Sequence, residues 1–225
     1  MASPAIAGNG VVVPVDVGIG PAAYWFSGRL FENRGWLPHF GIQINVQAII
    51  DKDLIEANWN RVPDKYRGMA ASITELRVSP SFLIPSALII SPKLDALGGV
   101  GMYGATWTPI GLTLISTGQK SARDWNPSRG RFSLDADLLL TALFIHSDFP
   151  AIPMTFFFRP GVQLKMTLLL SVTKTFLISL GGGAQAYIPQ RLGSFFEVTP
   201  FEEDVWFAGF AFLKFHVRFP YEVAL

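Results

Sequence analysis

Gly209-Phe210-Ala211-Phe212-Leu213-Lys214-Phe215-His216-Val217-Arg218-Phe219-Pro220-Tyr221-Glu222-Val223-Ala224-Leu225 is the stretch whose reading decides the fold. Its odd positions, from Gly209 to Leu225, are all apolar or small, whereas the even positions include Lys214, His216, Arg218 and Glu222. A period of two marks a β-strand, because successive side chains point to opposite faces. A strand this long, with one apolar and one charged face, needs two different environments. Lipid on the outside and a polar lumen on the inside supply them.

The same pattern recurs upstream. Over about 38–50, Phe40, Ile42, Ile44, Val46, Ala48 and Ile50 alternate with His39, Gly41, Gln43, Asn45 and Gln47. Over about 13–27, Val13, Val15, Val17, Ile19, Ala23 and Trp25 oppose Asp16, Gly18, Gly20 and Tyr24. A third strand, about 74–90, sets Leu76, Val78, Phe82, Ile84, Leu88 and Ile90 against Glu75, Arg77, Ser79 and Ser81, with Pro80 and Pro85 predicting bulges. A fourth, about 99–116, is Gly-rich and changes parity near Pro109. The fifth (131–146), sixth (155–170) and seventh (174–188) place Asp135, Asp137, Arg159, Gln163, Lys165 and Gln185 opposite aliphatic or aromatic neighbours, and the eighth is 206–225. Each exceeds the roughly 9–11 residues that a tilted strand needs to cross hydrocarbon.

Composition agrees. Half of the 225 residues are apolar, Phe alone contributes 19, and 16% are charged, against about 25% in soluble domains. No run of about 18 apolar residues is uninterrupted, which disfavours a helical bundle. Since unsatisfied backbone groups are costly in hydrocarbon, a closed barrel is the remaining way to span it. The fold class is therefore read as all-β: one antiparallel transmembrane β-barrel of eight strands, forming a single domain over 1–225 behind a short N-terminal tail at 1–10. A soluble sandwich would scatter its charges over outer faces, and a lipocalin-like barrel would reverse the pattern.

One connection, about 51–70, reads as a short helix, with Asp53 and Glu56 spaced as a capping box and Pro63 ending the segment. This connection and 189–205 are long, amphipathic and aromatic, and are the candidates for contacts with protein partners. Tyr24, Trp25, Phe26 and Trp36, with Tyr103, Trp107, Trp206 and Phe207, are expected to form interfacial girdles.

The inward set is Asp16, His39, Gln43, Asn45, Gln47, Glu75, Arg77, Asp135, Asp137, Arg159, Gln163, Lys165, Gln185, Lys214, His216 and Arg218. Inward acids on the fifth strand beside inward bases on the sixth fill a narrow lumen without stranding a charge. Eight strands enclose just enough room for side chains, so a plugged lumen is expected. If a pore existed, Arg159, Lys165, Lys214 and Arg218 would set its preference.

Other chemistry is weakly signalled. His146-Ser147 suggests a lipid-modifying enzyme, but neighbouring strand residues point to opposite faces. His39 and His216 would need Asp16 or Glu222 to complete a metal site. No catalytic residue, metal site or cofactor is assigned. Gly181-Gly182-Gly183 lacks the Lys-Ser/Thr of a phosphate loop. With no cysteine and a net charge of +1, neither a disulfide framework nor a nucleic-acid partner is indicated.

The C-terminal alternation, with Phe215, Phe219, Tyr221, Val223 and Leu225, resembles that of the small outer-membrane β-barrels of Gram-negative bacteria, the class of the OmpA membrane domain, OmpX and OmpW. Two departures are the terminal Leu225 in place of Phe, and Pro220 within the strand. The resemblance implies a signal peptide already removed and an outer-membrane location. It also implies contact with the bilayer and its lipopolysaccharide, and a C-terminal strand read by the barrel-insertion machinery.

Overall fold

The computed structural model describes residues 10–28, 31, 37–81, 83–94, 99–118, 130–148, 154–173, 175–188 and 206–224. The N-terminal tail before residue 10, the connection 189–205 and Trp36 lie outside them, as do the side chains of Trp206 and Glu222.

Among the described residues ten strands form one antiparallel sheet: β1 (Gly10–Phe26), β2 (His39–Asp51), β3 (Glu75–Val78), β4 (Ala87–Ser91), β5 (Val100–Trp107), β6 (Ile110–Gly118), β7 (Arg131–Ser147), β8 (Met154–Ser171), β9 (Phe176–Tyr187) and β10 (Trp206–Ala224). They close into a ring of eight staves, because β3 and β4 are two pieces of one stave and β5 and β6 two pieces of the next. β3 pairs with Ala48–Asp51 of β2, and β4 with Gly41–Gln43 of the same strand. The gap between them holds Pro80 and Pro85, which cannot donate to a ladder. The ladder resumes at Ser86, whose carbonyl accepts from Ile44 at 2.8 Å and whose N–H donates to Thr106 at 2.7 Å. The next stave breaks at Thr108-Pro109, and its inward parity switches from Met102, Thr106 and Thr108 to Gly111 and Thr113. A register slip between Thr113 and Ile115 follows.

Closure is made by the two terminal staves. β1 pairs with β10 from Gly10↔Ala224 to Phe26↔Ala208. Both ends of the sheet's chain therefore lie at one end of the barrel, here the terminal end; the other is the loop end. Seventeen residues of β7 at roughly 3.3 Å each exceed a bilayer's hydrocarbon thickness.

The connection after β2 corrects the sequence reading in three respects. It holds two α-helices, α1 (Lys52–Ala57) and α2 (Asp64–Ser72), with a 3-10 turn at Trp59–Arg61 between them. Its cap is Asp51, whose carboxylate accepts the Leu54 N–H at 2.9 Å, and not Asp53. Pro63 opens α2 rather than closing the segment.

Among the described residues the outer surface of the staves is predominantly apolar. Ile19, Ile42, Leu112, Leu138, Val162, Leu164, Met166, Leu168, Leu180, Phe215 and Val217 are all exposed. Water would not favour such a belt, whereas hydrocarbon matches it. Aromatic side chains mark both rims: Trp25, Phe40, Tyr103, Phe144 and Phe207 at the loop end, and Phe132, Phe219 and Tyr221 at the terminal end. Tyr24 and Phe26, read from sequence as girdle residues, are buried inside instead.

Candidate functional site in the barrel lumen

The half of the lumen nearer the terminal end is ionic. Arg77 on β3 sits at its centre because the β2–β3–β6–β7 register brings it over the inward face of β7. Its Nη1 donates to Asp135 Oδ1 at 2.7 Å and to Thr113 Oγ1 at 2.6 Å; its Nη2 donates to Asp137 Oδ1 at 3.0 Å and the Leu112 carbonyl at 3.3 Å. Glu75 lies 3.5 Å from the same guanidinium and accepts from Arg131 Nη1 at 2.7 Å. Asp137 also accepts from Lys165 Nζ at 2.9 Å and Gln163 Nε2 at 2.7 Å. A chain of amides carries the network onward: Gln185 Nε2 donates to Gln163 at 2.8 Å, and Tyr187 Oη donates to Gln185 at 2.7 Å. Buried charges so paired are tolerated, whereas removing one partner would strand the rest.

A second cluster joins β1, β10 and β9. Asp16 receives Arg218 Nη2 at 3.2 Å and faces His216 Nδ1 at 3.2 Å, and His216 Nε2 is 2.6 Å from Ser179 Oγ. With Nδ1–H given to Asp16, Nε2 accepts the Ser179 hydroxyl proton. The His216 ring fits because residue 18 is glycine; a Cβ there would come within 2.5 Å of Nδ1. The order Asp-His-Ser resembles a nucleophilic triad. However, Ser179 is only 1% exposed, and β9 is hydrogen-bonded on both sides, to β8 and to β10. Its N–H groups are thus engaged in ladders and none is free to hold an oxyanion. The arrangement serves as a hydrogen-bond relay locking three staves together.

Asn45 and Gln47 line a cavity of about 70 Å³ between the two clusters, and Asn45 Nδ2 donates to the Asp16 carbonyl at 3.3 Å. Lys165 and Lys214 border both this cavity and a smaller one of about 20 Å³. Among the described residues this half holds five buried or half-buried cations (Arg77, Arg131, Lys165, Lys214, Arg218) and five buried carboxylates (Asp16, Asp51, Glu75, Asp135, Asp137). Four of the cations lie within 4 Å of a carboxylate. Among the described residues Lys214 has no carboxylate at that distance; its Nζ lies over the Phe212 ring, 4.4 Å from the centroid.

The loop-end half is different, and the sequence reading of a polar lumen is corrected there. Tyr24, Phe26, Phe31, Ile89, Met102, Leu143, Ile145, Phe157, Tyr187 and Phe210 form a continuous buried cluster inside the ring. Tyr24 stacks with Phe26 and Phe210 at 6.2 Å each, and Phe157 meets Tyr187 edge-on at 5.5 Å. Gly181 leaves room for Phe212, since a Cβ there would approach its ring to 2.7 Å. Three polar residues join this cluster. Gln43 Nε2 donates to Tyr24 Oη at 3.4 Å; Arg159 lies over the Phe157 ring at 4.4 Å; and His39, edge-on to Phe26 and Phe31, has Nδ1 3.0 Å from Ser91 Oγ.

His39 and His216 therefore occupy opposite halves and do not converge on a metal. Among the described residues no group of three or more His, Cys, Asp or Glu is placed to hold one. His146 is partly exposed and packs edge-on against Tyr103 at 6.3 Å, while Ser147 is buried, so this pair does not meet either.

No protein-family model and no curated protein matches the chain. Solved structures do. The chain is similar to Neisserial surface protein A, with a TM-score of 0.49 at 15% identity over 91% of this chain and 97% of that one. It is also similar to the attachment invasion locus protein Ail of Yersinia pestis, with a TM-score of 0.39 at 8% identity over 92% and 99%. A structure of Ail in complex with the heparin analogue sucrose octasulfate gives 0.37 at 8% identity over the same shares.

Proposed function

We propose that this chain is a bacterial outer-membrane β-barrel with a sealed lumen, acting as a structural anchor or partner-binding membrane protein rather than as a pore. One observation carries this reading: the lumen is closed twice, by an apolar cluster at the loop end and by an ion-paired network at the terminal end. Solute would have to displace both. The outward apolar belt supports lipid as the surrounding phase, and closed antiparallel barrels are the outer-membrane solution to spanning it. Lipopolysaccharide and bilayer lipid are the partners of that belt, and the C-terminal strand β10 is the segment presented to the insertion machinery. The inward polar set works as filling that holds the staves in register.

The surface for a protein partner is the helical connection after β2. Tyr66 and Met69 are exposed there, and a groove of about 270 Å³ runs between Ile55, Trp59, Ala70 and Ala71. The second candidate, 189–205, lies outside the described residues. Planar-bilayer recording tests the sealed reading: purified protein should give no steps above leak, and steady unitary currents would overturn it. Cross-linked co-purification from native membranes, with and without Trp59→Ala and Met69→Ser, tests the partner surface.

A further inference from the structure

Lys214 sits deep in the membrane-spanning part of β10 and is 6% exposed. It borders the cavity of about 70 Å³, and no carboxylate among the described residues pairs with it. A buried ammonium without a counter-charge is strongly disfavoured unless something compensates it. The same cavity is bordered by Thr167, whose buried Oγ1 has no hydrogen-bond partner among the described residues. Two groups able to donate thus border one space large enough for water or a small ion.

We propose that this cavity holds a resident small monovalent inorganic anion, of halide type, as counter-ion to Lys214 and hydrogen-bond partner of Thr167. The anion pairs with the Lys214 ammonium and is a structural ligand, so the barrel needs no open pathway to use it. A larger or multiply charged anion would bring excess negative charge beside Asp16 and Asp135, which also border the space.

The test uses the full chain in detergent micelles at constant ionic strength, exchanging sodium gluconate, whose anion is too large for the cavity, for sodium bromide. The thermal midpoint should rise with bromide and saturate. Lys214→Met should fold and lose that dependence, and Thr167→Val should raise the half-saturating bromide concentration about tenfold, the loss expected for one hydrogen bond to a charged group. Should Lys214→Met fail to fold, anomalous scattering from bromide-soaked wild-type crystals decides: a peak beside Lys214 Nζ supports the site, and an empty cavity overturns it. A midpoint indifferent to bromide, as an uncharged Lys214 would give, overturns it too, as does an equal response in Lys214→Met.

Discussion

In the terminal-end half of the lumen, Arg77 ties Asp135 and Asp137 together and leaves little but hydrogen bonds between β3, β6 and β7. In the loop-end half, Tyr24, Phe157, Tyr187 and Phe210 touch ring to ring, with few polar atoms between them. The staves are the same strands in both halves: β7 contributes Asp135 and Asp137 to one and Leu143 and Ile145 to the other. A closed sheet therefore does not dictate what fills it. The ionic half gains register, since its ion pairs form only when particular residues of neighbouring staves lie opposite one another. The apolar half gains a dry seal, because close-packed rings admit no water.

Two substitutions should break the comparison most strongly, by about equal amounts. Arg77→Met strands Glu75, Asp135 and Asp137 and should destabilise the barrel by about 3–5 kcal/mol in urea unfolding from vesicles. Adding Asp135→Asn and Asp137→Asn should recover part of that loss, which a purely steric defect would not allow. Phe157→Ala opens the apolar half and should also lose about 3–5 kcal/mol, the usual range for a buried Phe. The two should differ in permeability: Phe157→Ala combined with Phe210→Ala is expected to raise leak conductance more than Arg77→Met does. Equal leak in both would mean that the apolar cluster is not the tighter seal.

A smaller effect sharpens the inside-outside contrast. Leu138 is 52% exposed on the outer face near the middle of β7, and its neighbour Leu139 is buried inside. Leu138→Arg should lose about 2–4 kcal/mol in vesicle unfolding, as expected at a bilayer midplane. The smallest effect lies outside the lumen. Asp51→Ala removes the cap of α1 and should lose about 1 kcal/mol, with faster amide exchange confined to residues 52–57.

Much of this architecture was legible in the sequence, for a definite reason. Where one face is charged and the other aliphatic, as in β2 and the second half of β10, the period of two is visible and the stave can be placed to within a residue or two. The stave breaks were visible as Pro80, Pro85 and Pro109, each lacking a ladder donor, although that β3 and β4 would be separate strands was not. The apolar half was hidden because both faces of the strand are apolar there. Leu143-Phe144-Ile145 and Phe156-Phe157-Phe158 carry no alternation, so hydropathy cannot tell which residue faces the lumen. Strand register decides it: the parity set by Asp135 and Gln163 carries inward to Leu143 and Phe157. The cap was misplaced for a similar reason, since Asp51 and Asp53 both precede a helix-like run and only the backbone selects the first.

A bilayer-spanning barrel requires lipid against one face of every stave, and nitroxide scanning of β8 from residue 161 to 169 in liposomes tests this most directly. Collision with oxygen, which partitions into hydrocarbon, should peak at Val162, Leu164, Met166 and Leu168 and fall at Gly161, Gln163, Lys165 and Thr167. Absence of a two-residue period, or higher access of a water-soluble nickel chelate at the even positions, would contradict it.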